Sequence, residues 1–240
     1  METYNRDWTL AEDQRLSEVD LDEKKSMNTH LHVLEAWSSL LRAHPSGGLR
    51  GLLEELIRHF LDHIIDPGTW HFRMFFDEQW RPRSDHVSFG HDIEGSWLLC
   101  EAAESLGDEG LGSRVRMAAV NMAGAVLDQA VDSDGGLLYE ADSGGIIDDD
   151  KHWWPQAEAV VGFMNAYQLS GRERFFDASL NSWRFIEDHI VDRRYGEWYW
   201  KVSRAGIPGG DGFKVDLWKC PYHNSRTCFE MMERLDALQF

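Results

Sequence analysis

The side chains best suited to acid–base chemistry are His91 and Glu94, within the stretch SFGHDIEGSW at residues 88–97. Their spacing of three residues places both on one face of a helix. The stretch is predicted to begin a helix, where unpaired N–H groups create a positive potential. That potential favours the neutral imidazole, which is the form that a general base requires. The alternative is a structural role, in which His91 caps its own helix and is hydrogen-bonded to Glu94.

Two further stretches place similar side chains at the predicted start of a helix. Asn28 and His32 are four residues apart and share a face, whereas His30 must point away from His32. His32 is therefore the candidate for the site, and His30 is predicted to be a hydrogen-bonded interior or interface residue. Trp154 and Glu158 have the same spacing of four, although Trp154 taken alone is more readily explained as core.

A second histidine, His223, lies at the predicted start of the last helix, with Trp218 just before it. Together with His91 it could place imidazoles on opposite faces of a bound carbon, one to remove a proton and one to deliver it. We predict no metal site, because the sequence has neither an HExxH motif nor clustered cysteines. A carboxylate pair for glycoside hydrolysis, Glu94 with Glu158, is an alternative to the histidine pair.

Composition narrows the class of ligand. The 240 residues carry a net charge of −18, which argues against nucleic acid and against an anionic membrane surface. A small neutral or cationic ligand fits better, and the 11 Trp and 6 Tyr offer faces on which a sugar can stack. Cys100, Cys220 and Cys228 are odd in number and predict reduced thiols. The sequence has no apolar run of about 18 residues, so we expect a soluble, cytoplasmic protein.

Hydrophobic periodicity predicts a chain of helices in one domain, residues 1–240, after a leading loop at 1–25. Helices are predicted at 26–42, 49–65, 90–106, 112–131, 155–170, 172–190 and 221–240, and aromatic strands at 70–76, 137–140 and 197–202. The unit recurs at about 60 residues, which is typical of a ring of helical hairpins. A closed ring of six hairpins would need about 360 residues, so we expect an incomplete ring.

Four motifs resemble, in order and spacing, those of the cellobiose 2-epimerases of the N-acylglucosamine 2-epimerase superfamily: EKKSMNTHLHVLEAW, SFGHDIEGSWLL, HWWPQAEAVVGF and EWYWKV…WKCPYHNSR. The resemblance covers residues 5–235. It implies an all-α fold, the C-terminal portion of an (α/α)6 barrel, with about seven helices and short aromatic β-hairpins. Family members have further helices before the matched region, which contribute an arginine to the pocket, so the resemblance implies that an N-terminal part is missing.

The activity implied by the resemblance is epimerisation at C2 of the reducing-end glucose of β-1,4-linked disaccharides, without a cofactor. Cellobiose would become glucosyl-mannose and lactose would become epilactose. His91 and His223 are implied as the acid/base catalysts that move the C2 proton through a cis-enediolate. Glu94 is implied to orient His91 or the open-chain sugar, and Glu158 to make a polar contact. Asn28 and His32 are implied at the sugar hydroxyls and the enediolate, and Trp154 and Trp218 as stacking walls.

Two other functions stay open at this point. An aldose–ketose isomerase of the same superfamily would share the enediolate and return the proton to C1. A catalytically inactive fragment would at most bind oligosaccharide on its tryptophan wall. The resemblance implies a monomer for full-length family members, and the disaccharide is the expected partner.

Overall fold

The computed structural model describes residues 2–15, 17–18, 20–209 and 213–237. Seven α-helices lie within these ranges, and α2 and α6 each continue as one π-helical turn, Phe60–Ile64 and Ile186–Ile190. The α-helices are α1 (Met27–Ala43), α2 (Gly47–His59), α3 (Phe89–Leu106), α4 (Glu109–Ala130), α5 (Trp153–Ser170), α6 (Glu173–Phe185) and α7 (Tyr222–Ala237).

The helices alternate between an inner and an outer layer. Helices α1, α3, α5 and α7 pack side by side in that order, and α2, α4 and α6 each pack against the inner helix that precedes them. Helices α3 and α5 are buried around their whole circumference for most of their length, as expected for helices covered on all sides. This is the arrangement of part of an (α/α)6 barrel, and the predicted all-α fold class is confirmed. Among the described residues, no helix has the length and apolar character needed to cross a membrane.

Local sequence explains where the helices begin and end. Ser26 is the N-cap of α1, as predicted, and its hydroxyl accepts a hydrogen bond from the backbone N–H of Thr29 at 3.2 Å. Gly107 and Gly171 adopt left-handed conformations, with φ of +66° and +65°, and end α3 and α5. The helices predicted at 49–65 and 172–190 are α-helical only as far as His59 and Phe185.

The predicted aromatic strands are wrong in length. The strands observed are β1 (Lys25–Ser26), β2 (Phe75–Phe76), β3 (Val87–Ser88), β4 (Glu140–Asp142), β5 (Gly145–Asp148), β6 (Lys151–His152) and β7 (Lys201–Val202). Trp70 and Glu197 have φ of +64° and +62°. This left-handed conformation interrupts a strand, so the stretches 70–76 and 197–202 form only single bridges, at Phe72 and Trp198, before the two-residue strands β2 and β7.

The short antiparallel ladders position the inner helices. Strands β1, β3 and β6 pair with β2, β4 and β7, and each runs directly into α1, α3 or α5. The last strand residues, Ser26, Ser88 and His152, pair with Phe75, Glu140 and Lys201. The same ladder therefore precedes three inner helices and fixes where their first turns face.

Buried polar side chains on the inner helices also bind the loops that contain residues 71, 72 and 137. The Asp92 carboxylate of α3 accepts from the His71 ring at Nδ1 and from the Phe72 backbone N–H, both at 2.7 Å. The Gln156 amide of α5 accepts from Leu137 N–H at 2.7 Å. Because neither Asp92 nor Gln156 is exposed to solvent, these bonds hold the loops in one place.

Candidate active site

The N-terminal turns of the four inner helices meet at a cavity of about 680 Å³. A smaller cavity of about 410 Å³ adjoins it and shares Asn28, His91 and Tyr139 in its wall. Glu158 lies beneath the larger cavity, fully buried. The other predicted site residues all line that cavity: Asn28, His32, His91, Glu94, Trp154, Trp218 and His223.

His91 is held from two sides. Its Nδ1 lies 2.8 Å from the Ser88 hydroxyl, and its ring packs on Trp154 with 4.7 Å between centroids. Burial lowers the pKa of His91 to about 3, and the nearby His32 and His223 add to the effect. The imidazole is therefore neutral near pH 7, as the sequence suggested, but burial rather than the helix N-terminus is the main cause.

His223 is the second residue of α7 and faces the same indole. Its ring centroid lies 5.4 Å from that of Trp154, and its Nδ1 lies 2.7 Å from the Glu158 carboxylate. An ionised carboxylate can only accept, so Nδ1 carries the proton. The Nε2 atom of His223 then has a free lone pair, which is the arrangement of a base whose tautomer is fixed by its neighbour.

Arg226 joins the four inner helices and was missed by sequence reasoning. Its Nη2 donates to Glu94 on α3 at 2.5 Å and to Glu158 on α5 at 2.7 Å, while Nη1 donates to Glu35 on α1 at 2.7 Å. The Tyr222 hydroxyl donates to Glu35 as well. The signal available was the position of Arg226 three residues after His223, on the same face of α7.

Burial raises the pKa of each carboxylate around Arg226, but neighbouring groups offset this effect to different extents. Burial raises the pKa of Glu94, and the nearby Glu158 raises it further. Burial also acts on Glu158, but the charge of Arg226 and the bond from His223 outweigh it and lower the pKa of Glu158. The pKa of Glu35 falls to about 2, because the bond from His32 and the charge of Arg226 outweigh its burial.

The contacts correct one of the two roles expected for Glu94. Within the described part of the chain, Glu94 forms no hydrogen bond or ion pair with His91, and the Ser88 hydroxyl takes that place. The carboxylate of Glu94 instead binds Arg226 and lies 3.8 Å from Nδ1 of His223. The physical reason is charge, because the buried carboxylate lies beside the guanidinium.

On α1, His32 and Asn28 face the cavity with different degrees of exposure. The His32 ring is half-exposed, 3.7 Å from Glu35, and that interaction raises the pKa of His32. The Oδ1 atom of Asn28 is buried and has no partner among the described residues. His30 is turned away, as predicted, and its Nδ1 lies 2.7 Å from the Ser26 carbonyl oxygen.

Aromatic rings form the remaining walls. Trp154 is largely buried, whereas Trp218 is 63% exposed at the cavity mouth. Tyr139 and His152 are stacked, with centroids 3.8 Å apart. Burial lowers the pKa of His152 to about 4. Sequence reasoning missed both stacked residues, since each belongs to a loop or short strand.

The donor set Glu94, Glu158 and His223 also merits a test as a metal site. Their ligand atoms all lie within 4.8 Å of one another. However, Nη2 of Arg226 is within 2.7 Å of both carboxylates. The guanidinium already supplies the positive charge between them, so this cluster fits an arginine better than a metal ion.

The fold and the cavity place the chain among the (α/α)6-barrel proteins. A family model described as N-acylglucosamine 2-epimerase (GlcNAc 2-epimerase) matches residues 2–218. The chain belongs to the N-acylglucosamine 2-epimerase family, as the four motifs indicated.

Several relatives match nearly the whole chain. Cellobiose 2-epimerase of Bacteroides fragilis is 43% identical over 232 residues, which is 96% of this chain and 59% of that protein. Cellobiose 2-epimerase of Dictyoglomus turgidum is 41% identical over 235 residues, 98% of this chain and 60% of that protein. A crystal structure of a sugar epimerase from a ruminal bacterium has a TM-score of 0.91 at 38% identity, over 96% of this chain and 59% of that one. The chain thus spans about 60% of the length of these relatives.

Proposed function

We propose that the protein acts as a carbohydrate 2-epimerase on the reducing-end glucose of β-1,4-linked disaccharides such as cellobiose and lactose. The observation that carries this proposal is the packing of His91 and His223 on the same indole, Trp154, at 4.7 and 5.4 Å. Both rings line one cavity of about 680 Å³, which is in the size range of small-molecule sites. Relatives named cellobiose 2-epimerase support the choice of substrate.

The proposed chemistry needs only proton transfer. In the open-chain sugar, the C2–H bond is adjacent to the aldehyde, and one neutral imidazole removes the C2 proton to leave a cis-enediolate. The other imidazole, which first takes up a proton from solvent, delivers it to the opposite face of C2, and the two histidines exchange roles in the reverse direction. Each positioned acid or base contributes about 10²–10⁴-fold. No electron leaves or enters the sugar, so the reaction requires no redox cofactor.

Other side chains have supporting roles in this proposal. Negative charge develops on the C1 oxygen of the enediolate, and donors already in place stabilise it. His32, whose pKa is raised by Glu35, and the Asn28 amide are the proposed donors. Trp154 and Trp218 provide faces on which the disaccharide can stack.

Deuterium exchange tests the proposal directly. The chain is incubated in D₂O with cellobiose or lactose, and NMR follows deuterium at C2 and the appearance of the mannose-type product. A folded chain without exchange would contradict the proposal, a ketose product would indicate the isomerase, and sugar-dependent tryptophan fluorescence without exchange would indicate an inactive binder.

Single histidine variants make the test sharper. His91→Asn and His223→Asn should each abolish epimerisation, because one face of C2 then lacks its acid or base. Each variant should still exchange deuterium into one epimer, and the two variants should favour opposite epimers. The exposed His44 provides a matched control, since His44→Asn alters no ring in the cavity. Retained epimerisation in both variants would refute the two-histidine mechanism.

A further inference from the structure

We infer that Ser88 is a positioning residue for His91. Its hydroxyl lies where a serine normally caps a helix, yet it is hydrogen-bonded to Nδ1 of the imidazole and fixes which ring atoms face the cavity. The catalytic consequence rests on the proposed function. The orientation of the ring does not, because it is a property of the folded chain.

Ser26 and Ser88 occupy equivalent places in the fold. Each is the last residue of a short strand, β1 or β3, and the N-cap of the inner helix that follows. The Ser26 oxygen accepts from the backbone N–H of Thr29, three residues later, at 3.2 Å, which is the ordinary bond of an N-cap serine. Within the described part of the chain, Ser88 forms no such bond. Its oxygen instead lies 2.8 Å from Nδ1 of His91, which is also three residues later.

Helix α3 therefore begins without the side-chain bond that stabilises the start of α1. The first N–H groups of a helix have no partner within it, and an N-cap serine stabilises the helix by accepting from one of them. Because the hydroxyl of Ser88 is turned to an imidazole in the cavity wall, α3 lacks this stabilisation. The observed contact favours the geometry of the cavity over the stability of the helix.

Ring packing alone does not decide which edge of His91 faces the cavity. The indole of Trp154 covers one side of the imidazole, with 4.7 Å between centroids. A half-turn about the bond between Cβ and Cγ would leave the ring plane unchanged, but it exchanges Nδ1 with Cδ2 and Nε2 with Cε1. Among the described residues, the Ser88 hydroxyl is the one hydrogen-bond partner of the ring. Since Ser88 is only 2% exposed, solvent has little access to this bond, and the bond determines where Nε2 lies.

A hydroxyl is suited to a ring that gains and loses protons. Proton transfer at Nε2 alternates between a neutral imidazole and an imidazolium, and Nδ1 carries a hydrogen in both. The Ser88 oxygen accepts that hydrogen in either state, and the hydroxyl can donate its own hydrogen when the neutral ring is protonated on Nε2. Unlike the carboxylate of Glu158 beside His223, the hydroxyl adds no negative charge, which agrees with the low pKa of His91, about 3.

Two N-cap serines provide a matched pair of substitutions. Ser46 caps the outer helix α2 by accepting from Leu49 N–H at 3.2 Å, and it lines neither cavity. Ser46→Ala and Ser88→Ala each remove one hydrogen bond, so each should lower the Tm by about 2–4 °C. Only Ser88→Ala should lower kcat, about 10–100-fold, since a small displacement of a reacting group is costly. KM should stay nearly unchanged, and Ser88→Thr, which keeps a hydroxyl, should recover most of kcat.

NMR measures the ring orientation without any turnover. In the native chain, the short distance between the rings of His91 and Trp154 should give nuclear Overhauser effects from one fixed orientation of the imidazole. In Ser88→Ala these effects should be averaged over two orientations, because the bond that opposes the half-turn is lost. Native effects in a folded Ser88→Ala chain would overturn the inference. Equal kcat in Ser46→Ala and Ser88→Ala would also overturn it, as would a raised KM at unchanged kcat, which indicates a substrate contact.

Two further outcomes are separable. If Ser88→Ala does not fold, Ser88→Cys, whose thiol forms only weak hydrogen bonds, is judged by the same criteria. Absence of turnover in the native chain would refute the proposed function and leave the NMR result to decide the role of Ser88.

Discussion

His152 makes the stability of the protein sensitive to mild acid. Its ring is buried against Tyr139, and its Nε2 has no hydrogen-bond partner among the described residues. Burial, followed by the charge of Lys201, lowers the pKa of His152 from 6.5 to about 4. Between these values the unfolded chain binds a proton that the folded chain does not, so stability falls as the pH decreases.

The size of the effect follows from the two pKa values. One pKa unit corresponds to about 1.4 kcal/mol, so acidification from about pH 7.5 to 5 should remove about 2 kcal/mol through His152 alone. His152→Phe keeps a ring on Tyr139 and cannot take up a proton. The variant should therefore lose about 2 kcal/mol less than the native chain over this interval. Urea denaturation followed by tryptophan fluorescence at several pH values measures both curves.

A second histidine provides a control of opposite sign. Glu140, 3.3 Å from His86, raises the pKa of His86, so its contribution to stability is present at low pH and is lost as the pH rises. His86→Phe should therefore make the loss on acidification steeper. If the native and His152→Phe curves run parallel between about pH 7.5 and 5, the argument from burial is wrong.

Two glycine substitutions test packing, and a third substitution tests a buried ion pair. In Gly90→Ala the new Cβ would lie 2.5 Å from the Trp154 ring, so the variant should lose about 1–3 kcal/mol in urea denaturation. At Gly51 nothing lies within 4 Å, and Gly51→Ala in the same assay should gain about 0.5–1 kcal/mol; equal effects at the two sites would contradict the packing argument. Asp92→Asn leaves the His71 ring without its buried carboxylate, 2.7 Å away, and should cost about 3 kcal/mol, seen as a lower Tm; an unchanged Tm would argue against a structural role for this pair.

Local spacing was sufficient to find the residues that begin the inner helices. Asn28, Trp154 and His223 are each the second residue of their helix, and His91 is the third. The sequence indicates these positions because the start of each helix is marked by its own N-cap and first-turn residues. Arg226 was missed because its partner Glu35 lies 191 residues away in sequence, and spacing rules compare only residues on one helix.

The predicted strands were too long because aromatic residues favour an extended backbone only where they can pack on the surface of a sheet. The backbone turns just before each of the stretches 70–76 and 197–202, around two aspartates. Asp66 accepts from Gly68 N–H at 2.8 Å, and Asp192 accepts from Arg194 N–H at 2.9 Å. These Asx turns were visible in the sequence as an aspartate just before each aromatic stretch.

The ladders before α1, α3 and α5 also determine where the chain can accept extra residues. Each helix residue advances about 100° around the axis, so one residue inserted between Ser88 and His91 would rotate the imidazole away from Trp154. An insertion at the exposed turn that joins β4 to β5, Ser143 and Gly144, would leave every inner helix in its original rotation. Insertions at the hairpin tip are therefore compatible with an intact site. Insertions at the junctions between a strand and an inner helix are not.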